Sequence, residues 1–171
     1  MRKLFVISLI ALSLVLLSAC GVSEEEVAEV LESRTDEMFE AEKPAPNQSF
    51  ASFEIYLPDN FEVQEEAESN LILESDNQMY LMFYNTLEDQ MSDFFYRSIE
   101  ESDQYTFLKS YQDDQRFGYV KVALVEELYE VQVGIGGIRM TTHTELDQVE
   151  TEVEQMITII DSVAFIEEAT E

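Results

Sequence analysis

The order of apolar and polar positions divides the chain into one long apolar run and a series of short periodic segments. Leu4 to Leu17 is apolar apart from Ser8 and Ser13, and Met1, Arg2 and Lys3 precede it. That is the layout of an export signal. Periodic segments begin at Ser23. Ser23 with Glu26 three residues on fits a capping box, and Val27, Val30, Leu31, Arg34 and Met38 fall on one stripe. A weakly amphipathic helix is therefore expected over residues 23–42, either packed on the domain or standing as a charged stalk. Pro44-Ala45-Pro46-Asn47 follows as a linker. Phe53, Ile55 and Leu57 then alternate with polar neighbours, which predicts a half-buried strand, and Pro58-Asp59-Asn60 predicts a turn. Phe61 and Val63 open a second strand, Leu71-Ile72-Leu73 a third, and Asp76-Asn77-Gln78 a turn. The nearly continuous apolar run from Met79 to Tyr84 predicts a central strand covered on both faces.

Thr86 with Asp89 has the pattern of a second helix start, with Leu87, Met91, Phe94, Phe95 and Ile99 on one face and Phe95 expected to be buried. Strands from Tyr105 to Tyr111, Phe117 to Val125 and Leu128 to Thr142 form a meander. In the last of these, Val131, Val133 and Ile135 are out of phase with Ile138 and Met140, and a β-bulge at Gly136 or Gly137 would restore the phase. The closing helix has Thr144 as its expected cap and a stripe of Leu146, Val149, Val153, Met156, Ile157 and Ile160. Glu145, Glu150, Glu152 and Glu154 are expected to face water. Asp161-Ser162 ends the helix, and Val163-Ala164-Phe165 is extended. Strands, helix, meander and helix make an α+β protein, an antiparallel sheet with helices packed on it. The expected boundaries are a signal over 1–19, an anchor with acidic helix and linker over 20–49, a globular domain over 50–166 and an acidic tail over 167–171.

Two resemblances sharpen this reading. Leu17-Ser18-Ala19-Cys20-Gly21 resembles the lipobox of bacterial lipoproteins, in which small residues precede an obligatory cysteine. The resemblance implies cleavage before Cys20, a diacylglyceryl group on its sulfur, and a mature chain held on the extracytoplasmic face of the cell membrane. Two acyl chains suffice for stable anchoring where one binds only marginally. An uncleaved spanning helix from Leu4 to Val22 is the competing arrangement, since a span needs about 20 residues. Second, Phe53-Glu54-Ile55-Tyr56-Leu57-Pro58, the late meander and the closing helix that runs into Asp161-Ser162-Val163-Ala164-Phe165 resemble the PsbP/DcrB-like fold. That likeness implies a non-catalytic binding or assembly role but names no ligand, because a fold does not fix a function.

Charge narrows the partners. The 171 residues carry a net charge of −28, and cleavage before Cys20 removes Arg2 and Lys3, taking the charge two units further. Such a chain is not expected to bind nucleic acid, whose phosphates attract basic patches. At 46% hydrophobic residues, with 11 Phe and 8 Tyr, it can nevertheless bury a core, so the charge is a coat on a folded domain. Cys20 is the only cysteine, which leaves the mature domain without a disulfide.

Candidate chemistry is sparse. His143, the only histidine, has no Gly-x-Ser-x-Gly partner motif, and no thiol remains once Cys20 is lipidated. Gly134-Ile135-Gly136-Gly137 lacks the spacing and the lysine of a phosphate loop. The acidic clusters lack an Asp-x-Asp-x-Asp-Gly pattern, so diffuse cation binding is expected rather than a shaped calcium site. No catalytic residue, cofactor or metal ligand is assigned. The expected partners are the membrane, through lipid on Cys20, and an envelope protein. The alternative function is a carboxylate-based envelope hydrolase, which would need two carboxylates about 5–10 Å apart in a cleft.

Overall fold

The computed structural model describes residues 22–166; the expected export signal, Cys20 and the expected acidic tail lie outside the described residues. The elements are α1 (Glu24–Glu40), β1 (Gln48–Ser49), β2 (Phe53–Ile55), β3 (Glu62–Glu66), β4 (Asn70–Ser75), β5 (Gln78–Tyr84) and α2 (Phe94–Ser102). After them come β6 (Phe107–Gln112), β7 (Phe117–Val125), β8 (Leu128–Ile135), β9 (Ile138–Thr144), a 3-10 turn (Leu146–Gln148), α3 (Val149–Asp161) and β10 (Ala164–Phe165). Seven strands form one antiparallel sheet in the order β3-β4-β5-β9-β8-β7-β6, and β1-β2-β10 form a small second sheet. The fold is α+β, as the pattern predicts.

Strand order explains where the helices lie. After β5 the chain crosses to the far edge of the sheet at β6, and α2 is part of that crossing, on what is here called the outer face. The meander β6-β7-β8-β9 then returns until β9 pairs with β5. The inner face carries α3 and α1. Leu71, Leu73, Met82, Val120, Val131, Val133 and Met140 from the sheet are fully buried with Val149, Val153, Met156 and Ile159 from α3. Phe95 and Val153 are both buried, as expected.

Six local expectations are corrected. The helix α1 does not stand off as a stalk. Its capping box is present, but Leu31, Thr35 and Phe39 are also completely buried, so the globular unit begins near residue 24 rather than 50. The segment after β5 is not helical until Phe94. Asn85 Oδ1 accepts from Leu87 N–H at 3.1 Å and Asp89 Oδ1 accepts from Met91 N–H at 2.8 Å. These side-chain turns compete with the helix for the same backbone donors, and Leu87 is left 92% exposed.

Gly136-Gly137 is not a bulge but a two-residue hairpin turn. Ile135 pairs with Ile138, and Gly136 has φ of +53°. Turn and bulge restore the same phase, but only the turn breaks a 15-residue strand, well beyond the usual 3–10. The strand β5 is covered on its inner face but on its outer face only at Phe83, with Met79 48% and Leu81 47% exposed. Thr144 ends β9 and does not cap α3, whose N-cap is Gln148.

Glu152 likewise does not face water. It is 8% exposed and accepts a 2.8 Å hydrogen bond from the Tyr80 hydroxyl. Burial raises the Glu152 pKa above its ordinary value, against the opposing hydrogen bond from Tyr80. The folded state then binds this proton more tightly than the unfolded state, so the contribution is most favourable at low pH and is lost as pH rises through the folded value. Glu152→Gln, which keeps an acceptor for Tyr80, should flatten the stability profile above about pH 4.3, the unfolded carboxylate value. It should be at least as stable as wild type at pH 7. Urea melts across pH 4–8 read this directly, and a variant that follows the wild-type slope would rule out Glu152 as its source.

Candidate binding face

The pleat sets alternate residues of β4 to β9 on the outer face, and the register aligns them in rows. One row runs Asn70, Phe83, Arg139, Gly134, Tyr119 and Ser110. The next runs Ile72, Leu81, Thr141, Gln132, Lys121 and Leu108. A third contains Glu74 with Met79, and His143 with Glu130 and Ala123. Helix α2 covers the first row and the Phe117 beyond it, on the side away from the other two rows: Phe95 meets Phe83 edge-on at 5.8 Å, and Tyr96 meets Tyr119 at 6.3 Å and Phe117 at 5.4 Å. Beyond it, Met79, Leu81 and the partly buried Ile72 and Thr141 face solvent, with Phe94 exposed at the rim on α2.

The electrostatics of this face differ from those of the rest of the molecule. Across the outer positions of β4 to β9, Lys121 and Arg139 balance Glu74 and Glu130, on a chain whose net charge is −28, while the edge strand β3 adds Glu62 beside Glu74 and Glu65 beside Ile72. Lys121 Nζ is bonded to Glu130 at 2.7 Å, and His143 Nε2 lies 3.9 Å from the same carboxylate. Arg34, Lys43, Arg97, Lys109, Arg116 and Lys121 each pair with a carboxylate. Arg139 is the one Lys or Arg among the described residues that pairs with none. Its guanidinium instead lies 5.2 Å from the Phe83 ring centroid and 4.8 Å from that of Phe95.

The floor beside Arg139 is built around a missing side chain. A Cβ on Gly134 would come within 2.1 Å of the Tyr119 ring, so glycine there lets that ring lie flat across β8. Burial raises the Tyr119 phenol pKa, with the charge of Arg139 opposing. The Tyr119 hydroxyl reaches Gln132 Oε1 at 3.4 Å, and Gln132 Nε2 donates to Thr141 Oγ1 at 3.3 Å. A polar line of Arg139, Tyr119, Gln132 and Thr141 thus borders the apolar strip of Met79, Leu81 and Ile72.

The sequence reading singled out His143 and the glycine run, and both lie on or beside this face, though in other roles. His143 lies in β9 opposite Glu130, and Gly134 makes room for Tyr119. For Arg139 the sequence carries one local signal: its place between Ile138 and Met140 marks it as pointing away from the core. No group of three or more His, Cys, Asp or Glu able to hold a metal occurs among the described residues. A groove of about 620 Å³ between α1 and the start of α3 is lined by Val22, Val27, Val30 and Leu146 with Glu26, Glu29, Asp147 and Glu150. Comparison with protein-family models, curated proteins and solved structures gave no match.

Proposed function

We propose that this protein is a lipid-anchored, extracytoplasmic lipoprotein of the bacterial cell membrane that works as a non-catalytic binding or assembly protein, using the outer face of its large sheet. The anchor rests on the export signal and on Cys20 in its lipobox-like setting. The binding role rests on one observation: on so acidic a domain, the open part of that face sets exposed Met79 and Leu81 beside Ile72, and its positions from β4 to β9 are balanced in charge. Large exposed apolar patches rimmed by polar groups mark interaction sites. Interface cores are depleted of charge and enriched in aromatic residues, Met and Arg. A carboxylate-based hydrolase draws no support from Glu152, whose carboxylate is engaged by Tyr80 on the covered side of the sheet.

Two measurements test the reading. Intact mass of the membrane form should show a first residue Cys20 with acyl mass; a chain beginning at Met1 without acyl mass would remove the anchor. A photo-crosslinking residue at Leu81 in intact cells should give a discrete adduct, whereas the same residue at Glu154 on the helical side should not. Equal labelling at both positions, or none at Leu81, would remove the face.

A further inference from the structure

We propose that Arg139 is the receptor for a carboxylate on a protein partner, whose adjoining apolar side chains lie over Leu81 and Met79. This rests on the reading of the outer face as the binding surface and adds the chemistry of the occupant. The two phenylalanine rings stabilise the guanidinium charge but offer no oxygen, and no acceptor among the described residues takes its N–H donors. Arginine presents those donors as a planar fork that matches a carboxylate bidentately. The chain is densely acidic, yet none of the acidic residues among those described is placed on Arg139.

Geometry orients the partner. Arg139 and Thr141 lie on the same face of β9, two residues apart, so their rows are about 7 Å apart along the strand. Thr141 Oγ1 accepts from Gln132 and keeps its own hydrogen to donate. On β5, Phe83, Leu81 and Met79 step away from Arg139 at the same interval. An extended segment with its carboxylate at Arg139 therefore sets its apolar side chains on the exposed Leu81 and Met79. The acidic coat, with Glu62 and Glu65 on the edge strand β3, works against any anion, but at 0.15 M salt screening acts over about 8 Å, and the charges across β4 to β9 balance.

The test uses the mature chain carrying Cys20→Ser, in 0.15 M salt, titrated with N-acetyl-leucyl-leucine and separately with its C-terminal amide. NMR follows the Arg139 Nε–Hε resonance and the methyl groups of Leu81 and Met79. The free acid should shift all three saturably and at least tenfold more tightly than the amide. Arg139→Gln should bind both probes alike and should keep the wild-type melting profile within a few degrees. Equal affinity of acid and amide for the wild-type protein would overturn the role of Arg139 while leaving the face as a binding surface. No saturable shift with either probe at tens of millimolar would overturn the face as well. Methyl shifts that depend on protein concentration alone would assign the face to a second copy of this chain and would likewise overturn the proposal.

Discussion

Replacement of Arg116 by alanine is expected to destabilise the protein by about 3–5 kcal/mol, the range for removing one partner from a buried ion pair. Arg116 is 5% exposed and joins three elements. Its guanidinium binds the Asp161 carboxylate at the end of α3 and the Phe39 carbonyl near the end of α1, and its Nε lies 3.3 Å from Asp113 in the β6–β7 turn. The Tyr111 ring centroid is 5.8 Å from the same cation. Truncation leaves the buried Asp161 with only Lys43, at 2.9 Å, and the Phe39 carbonyl without its charged donor. For a domain of this size the loss should lower Tm by on the order of 10 °C. Arg97→Ala is the control, because Arg97 also pairs with an aspartate but on the exposed surface of α2, where such pairs contribute at most about 1 kcal/mol. Similar losses for the two variants in urea melts would show that the Arg116 cluster does not clamp the helices.

Phe39→Ala should cost a similar amount, about 3–5 kcal/mol. Phe39 is fully buried, stacks on Tyr111 with centroids 5.0 Å apart, and lies so close to β7 that a Cβ on Gly118 would be 2.6 Å from its ring. The same variant decides between the two sequence expectations for residues 23–42. A helix standing as a stalk would lose almost nothing on truncation of Phe39, whereas α1 belongs to the core and its loss should lower the cooperative transition of the whole domain. A loss below about 1 kcal/mol would detach α1 from the core.

The proposed binding face is only partly legible in the sequence. Alternation in β8 and β9 separates an inner set, Val131, Val133, Ile138 and Met140, from an outer set that includes Gln132, Arg139 and Thr141, and this much can be read from period 2 alone. What cannot be read is which outer residues meet. The juxtaposition of Phe83 with Arg139 depends on β9 pairing with β5 across more than 50 intervening residues. The aromatic clasp over Arg139 depends on α2 crossing that side of the sheet rather than the other.

Local rules written into the chain determined the elements themselves. Period 3.6 marked α1 and α3, and period 2 marked the meander. Ser23 and Glu26 capped the first helix, and Asp76-Asn77, both with positive φ, closed the β4–β5 hairpin as a tight turn. These signals act over a few residues, so a few residues carry them. The tertiary structure decided where each face went. Glu152 follows the helical pattern of a solvated position, yet it is buried because Tyr80 and the sheet happen to lie beneath it. Met79 and Leu81 follow the pattern of a doubly covered strand, yet they are exposed because α2 reaches only the far row of the outer face. Burial is a property of what lies opposite, and what lies opposite is set by strand order and crossover, which no local window contains.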